Sequence, residues 1–307
     1  MRIPIAHPSH FNFPEILRFL SRSTRECLHY VEDGHLFKMI AVQEVPLLMD
    51  IRYKEGAAYL DVDVIKPDPV PMEWAAPALA AAAAPVQALL TRWLHLDADL
   101  RPFYTFAATD PVLAPLVRDY HGLRLVGVPD LFESITWTVM GQQINLAFAY
   151  TTRKRFIETL GYSVEHGGRT HYLYPKPAVV AAAQPELLRE MQFSRGKITY
   201  MQNLAQQIVQ GQFSAALVDD APDFETAKAA LVALKGIGNW SANYVLMKYA
   251  RYPQSLPLED AGLHQALRRY HHLPGKPALD EVKRLTAHWG PHAAYATFYC
   301  WHSLFEV

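Results

Sequence analysis

Apolar and polar positions alternate near the start of the chain. Residues 58–65 (AYLDVDVI) set Leu60, Val62 and Val64 against Asp61 and Asp63, the period of two that a half-buried strand requires. Residues 37–45 and 46–53 are also rich in strand-forming side chains, and the polar turn Lys54-Glu55-Gly56 joins the second of them to 58–65. Ahead of these strands, residues 14–26 carry Ile16, Leu17 and Leu20 at helical spacing; after them Pro67, Pro69 and Pro71 end the strand pattern. From residue 75 the period changes. Segments 85–94, 131–160, 198–210, 225–234, 240–249, 261–270 and 291–305 predict helices separated by Gly, Pro and Asp. Residues 161–177 (GYSVEHGGRTHYLYPKP) predict an exposed loop. The expected fold is therefore an α+β N-terminal domain, an antiparallel sheet with helices over residues 1–90. An all-helical region over 91–307 follows, and no solenoid repeat is present.

Composition narrows the class. Half of the 307 residues are hydrophobic and 19% are charged, as in an ordinary globular protein. The longest candidate span, 75–90, is mostly alanine and is broken by Pro77 and Pro85, so no membrane partner is expected. The N-terminus, MRIPIAHPSH, lacks the apolar run of a signal peptide, and the expected location is cytoplasmic, with the nucleoid. Cys27 and Cys300 form no CxxC pair, which argues against a disulfide framework, a zinc ribbon or an iron–sulfur cluster. His271, His272, His288 and His292 show no metal-ligand spacing, so no metal is expected, while His264 falls one turn after Asp260 and is placed to face a site there. The net charge of −1 means that the field of the whole chain would not attract a polyanion. Any nucleic-acid binding has to use a local basic surface or backbone amides.

Residues 230–250 (ALVALKGIGNWSANYVLMKYA) supply a candidate for both. Two apolar helices flank the turn Lys235-Gly236-Ile237-Gly238-Asn239, within a helix-hairpin-helix spanning 225–250. Asn239 is a suitable N-cap, and the free amides of the helix it opens suit a phosphate. Between Glu225 and Glu259 the only charges are Lys228, Lys235, Lys248 and Arg251, all positive. A corner between two helices with no ligand is the bland alternative. Likewise Asp260 reads as an N-cap, and Trp240, Tyr244 and Trp301 read singly as core aromatics. Gln142 and Gln143 are unusual in an apolar helix, and Lys197 is either a phosphate contact or a solvated charge.

The segment LKGIGNWSA (234–242) fits every position of L-x-G-[IV]-G-x-x-[ST]-A, and the chain here resembles the helix-hairpin-helix DNA glycosylase superfamily. LFESITWTVMGQQI (131–144) resembles the segment before that family's DNA-intercalating loop, and FSRGKITY (193–200) resembles its central helix signature. The resemblance extends over roughly residues 100 to 307. It implies that Asp260, at the start of the next helix, is the essential carboxylate. Family members that also nick the strand carry a lysine where this chain has Trp240. The tryptophan resembles the DNA-3-methyladenine glycosylase II branch.

The resemblance implies a monofunctional enzyme, expected to act as a monomer on duplex DNA holding a damaged base. It would extrude an alkylated base and hydrolyse its N-glycosidic bond as a first step of base excision repair. Trp240, Tyr244 and Trp301 would form an aromatic pocket that attracts a cationic base, and Asp260 would stabilise positive charge on the sugar. Lys235, Gly236, Ile237, Gly238, Gln142, Gln143 and Lys197 would contact DNA. No cofactor is expected, apart from a monovalent cation that the family implies at hairpin carbonyls. Two alternatives stand beside this reading. One is an oxidised-base glycosylase of the same fold; the other is a damage-sensing DNA-binding protein without catalysis.

Overall fold

A computed structural model describes residues 1–305; positions 306 and 307 of the expected 91–307 region lie outside the described residues. Five antiparallel strands form the N-terminal sheet: β1 (Arg2–Pro4), β2 (His29–Glu32), β3 (His35–Val42), β4 (Val45–Arg52) and β5 (Tyr59–Ile65). Their spatial order is β1-β5-β4-β3-β2. As the alternation predicts, Leu60 and Val62 of β5 are buried. Asp61 and Asp63 turn outward to meet Arg2 and Arg52. The helix Phe13–Leu20 is capped by the Asn12 side chain on the Glu15 N–H, and it buries Phe13, Ile16, Leu17, Phe19 and Leu20. It ends at Leu20, six residues before the end of the predicted segment 14–26.

Two hydrophobic cores organise the chain. The first joins the sheet (Leu36, Ile40, Leu47, Met49) to residues 78–126, and then to Leu263, Leu267, Phe298 and Tyr299 of the closing helices. The second lies within the helices between Leu131 and Tyr249. The helix Ala83–Leu94 runs through residue 90 and contributes Val86, Leu90, Trp93 and Leu94 to the first core. Phe19 packs on Phe298 at 4.6 Å between ring centres, and His302 meets Glu15 at 2.6 Å, so the last helix, Ala293–His302, closes over the first. The chain passes between the cores at Gly127, whose N–H donates to the Trp93 carbonyl at 2.7 Å. A Cβ there would lie 2.8 Å from the Lys248 carbonyl oxygen, which only glycine avoids.

Two sequence expectations need correction. Residues 161–177 are a hairpin rather than an exposed loop: β6 (Tyr162–His166) pairs with β7 (Arg169–Leu173) across Gly167-Gly168, both at positive φ. Val164 and His171 are buried, so the helical part of the chain is not all-α. The signal was present as a Gly-Gly pair between runs of Tyr, Val, Thr and Leu. The helix expected over 131–160 is two helices, Leu131–Gly141 and Leu146–Leu160. Gln143 at φ 57° breaks it, and Asn145 caps the second helix on the Phe148 N–H at 2.8 Å.

Arg124 fastens the N-terminal turn to the first core. It is fully buried and donates to the carbonyls of His10, His95, Ala98, Ala6 and His7 at 2.5–3.2 Å. Arg124→Met leaves those carbonyls without their donor. Urea unfolding is expected to show a loss of about 3 kcal/mol or more; a loss below about 1 kcal/mol would show that the network carries no such weight.

Candidate active site and DNA-binding hairpin

Asp223 caps the helix Phe224–Val232 on the Thr226 N–H at 2.8 Å, and Leu234 and Ile237 bury their side chains to anchor the turn that follows. Gly236 sits at φ 90°, where an added Cβ would meet the Tyr200 ring at 2.3 Å. Asn239 does not cap the second helix, contrary to the sequence reading. The cap is Gly238, extended and without a side chain, and Asn239 is the first residue of the helix Asn239–Lys248. Its amide donates instead to Glu259 at 2.9 Å. No side chain therefore caps the first amides of this helix, and an anion can take them.

The basic run expected around the hairpin does not gather into one surface. Lys248 is buried and donates to the Val126 carbonyl; Arg251 pairs with Asp97. Lys235 is exposed beside the turn and Lys228 is half-buried. Gln142 reaches the hairpin directly, its amide donating to the Gly236 carbonyl at 2.8 Å. Lys197 donates to the Met140 carbonyl at 2.8 Å, closing the end of the helix before the break. Gln143 projects from that break, exposed.

Asp260 lies between the hairpin's second helix and the last helix. One oxygen, Oδ1, accepts the Leu263 backbone N–H at 2.8 Å and the Trp301 Nε1–H at 2.7 Å. Oδ2 accepts the Trp240 Nε1–H at 3.1 Å. Capping and side-chain binding thus coincide on one carboxylate. Tyr244 lies between the indoles, its ring centre 5.8 Å from that of Trp240 and 6.0 Å from that of Trp301. Gly262, which the sequence reading passed over, makes this possible: a Cβ there would lie 3.0 Å from Trp301 and 3.1 Å from Asp260. His264 does not join the site; its Nε2 lies 2.7 Å from the Leu258 carbonyl oxygen and holds the loop before Asp260.

Behind Tyr244, at the seam between the two cores, lies a cavity also lined by Trp93, Trp137 and Tyr150. Arg153 crosses it fully paired, to Glu26 at 2.9 Å and Glu133 at 2.7 Å. Burial alone would raise the Glu26 carboxyl, but Arg153 and His29 outweigh it and hold it well below the usual carboxylate range. Burial drives His29 down to about 4 against the pull of Glu26. Trp137, Tyr150, Arg153, Glu26 and Glu133 were not among the expected site residues. The charges in 131–160 lay in what read as one continuous helix.

Residues 136–292 match the HhH-GPD superfamily of base excision DNA repair proteins. The chain is 33% identical to the DNA-3-methyladenine glycosylase of Bacillus subtilis (strain 168) over 99% of its own length and 97% of that protein's. Its fold resembles the 3-methyladenine DNA glycosylase of Archaeoglobus fulgidus with a TM-score of 0.78 and 23% identity, over 98% and 97% of the two chains. It also resembles the 8-oxoguanine glycosylase/lyase of Clostridium acetobutylicum in complex with double-stranded DNA, with a TM-score of 0.68 and 14% identity, over 96% and 91%.

The two hairpin glycines differ in a way that unfolding experiments resolve. Gly236→Ala combines positive φ with a clash against Tyr200 and is expected to cost roughly 2–3 kcal/mol. Gly238→Ala has open space around its Cβ and φ −95°, so a cost below about 1 kcal/mol is expected. Equal losses would show that the hairpin's shape does not depend on Tyr200.

Proposed function

Because this chain belongs to the HhH-GPD superfamily of base excision DNA repair proteins, and to the DNA-3-methyladenine glycosylases within it, we propose that it is a monofunctional glycosylase of the II branch. It releases alkylated bases from duplex DNA with Asp260 as the catalytic carboxylate. The observation that carries this reading is the Asp260 carboxylate between two indole N–H groups, beside the Tyr244 ring.

The uncapped amides of the helix Asn239–Lys248 and the exposed Lys235 take a backbone phosphate. They hold the strand while the damaged nucleotide turns out of the stack. Gln143, exposed on the break between two helices, faces the gap that the nucleotide leaves. The extruded base enters beside Tyr244. As its N-glycosidic bond stretches, positive charge grows on the sugar, and the fixed carboxylate of Asp260 stabilises it and orients water toward the anomeric carbon. The hydrogen bonds from Trp240, Trp301 and the Leu263 amide fix that carboxylate in advance of the reaction. The acting unit is one chain, since all these groups come from it.

Trp240 supports the second half of the proposal. Its indole nitrogen offers no basic lone pair for a Schiff base with the sugar, and it already donates to Asp260. Hydrolysis then ends the reaction, without strand cleavage. The Leu234 and Gly236 carbonyls each accept one hydrogen bond, from the Ile237 N–H and from Gln142. Each has a second lone pair, and the two would help hold the monovalent cation implied by the family, which would supply positive charge beside a backbone phosphate; no step here passes through it.

Free base released from methylated duplex DNA should fall at least about 100-fold in Asp260→Asn. The wild type should leave no nicked strand without alkali. Nicking by purified protein would overturn the monofunctional assignment; tight binding with no base release would overturn catalysis itself.

A further inference from the structure

Lys38 occupies an inward-facing position of β3. Leu36, Ile40 and Val42, of the same parity on the strand, all belong to the first core. Lys38 is 9% exposed and lines the cavity behind Tyr244. The other buried cations along the cavity are engaged, Arg153 with Glu26 and Glu133, Lys248 with the Val126 carbonyl. Among the described residues the Lys38 ammonium makes no hydrogen bond and no ion pair; it lies 5.2 Å from the centre of the Trp93 ring. Burial lowers its pKa, with Glu133 and Glu26 opposing. The ammonium opens onto the cavity with no protein acceptor, and a ligand that brings an acceptor into that partly desolvated space gains a charge-assisted hydrogen bond.

The charges along the cavity also select. Glu26 and Glu133 face four basic side chains along it, Arg22, Lys38, Arg153 and Lys248, so the lining has no excess of carboxylates. No surplus negative charge awaits a cationic base there, whereas a neutral base with a carbonyl oxygen meets a free donor. We propose that Lys38 is the specificity-determining donor of the base pocket. It hydrogen-bonds an exocyclic carbonyl oxygen of the extruded base and so sets how a carbonyl-bearing base fares against one that has none. The inference rests on the glycosylase reading and on Tyr244 as the wall shared by the cavity and the Asp260 site.

The test compares two bases under single turnover: hypoxanthine, neutral with a carbonyl, from a duplex oligonucleotide, and 3-methyladenine, which has none, from methylated DNA. Lys38→Met is expected to lower the ratio of hypoxanthine to 3-methyladenine release about 10- to 100-fold. Lys38→Gln, which keeps a donor without the charge, is expected to fall between the two, and it serves alone if the methionine variant does not fold. A parallel fall of both rates, with the ratio within about twofold of wild type, would assign Lys38 to packing and overturn the proposal. Wild type that releases 3-methyladenine but not hypoxanthine would overturn it too and leave the glycosylase reading standing. Wild type that releases neither base would overturn both.

Discussion

Asp260 needs donors for a carboxylate held partly out of water, and it draws them from three separate stretches of chain. The Leu263 amide comes from its own helix, one indole from the hairpin and the other from the last helix. The same bonds satisfy two indole N–H groups that would otherwise be costly to bury. Removing any one partner would leave the others mismatched, so helix packing and the position of the reactive carboxylate are not independent features. Gly262 belongs to this arrangement because a side chain there would separate Trp301 from Asp260.

Much of this was legible in the sequence. The period change near residue 75, the hairpin glycines and Asp260 as cap follow from pattern and motif, while the three aromatics beside Asp260 were implied by the resemblance. Of the five strands, β3, β4 and β5 lie where strand-forming side chains placed them; β1 and β2 are too short to have signalled themselves. What escaped depends on which partner each polar group finds. Asn239 looks like a cap, yet Glu259, twenty positions away, competes for its amide. Lys248 and Arg251 count as basic surface until a carbonyl and Asp97 claim them. The Gly167-Gly168 hairpin was a local signal overlooked among polar neighbours, whereas the break at Gln143 had only Asn145 to announce it. Lys38 was visible as a lysine of the wrong parity within a strand, but its meaning depends on a cavity whose other walls come from residues 93, 137, 150 and 244.

The seam between the cores is where the protein spends stability. An Arg flanked by two carboxylates inside a protein is seldom more stable than an apolar packing of equal volume. The N-terminal part of the chain shares in that seam, since β3 and the segment after the first helix supply Lys38, Glu26 and His29 to the cavity wall. The hairpin β6–β7 meets the sheet through Arg169, which pairs with Glu32 and lies over the Tyr30 ring, and Lys176 just after it pairs with Glu44.

Phe19 against Phe298, with Glu15 against His302, ties the beginning of the chain to its end. The first core is therefore assembled from sequence on both sides of the second, which is threaded between its two parts. During synthesis the helices between Leu131 and Tyr249 can condense while the helix Phe13–Leu20 still lacks its partner, Ala293–His302. The Phe19 side of that first helix stays open to solvent, and to chaperones, until its partner is made. The Asp260 site, which needs Trp301, forms only after the same helix has emerged.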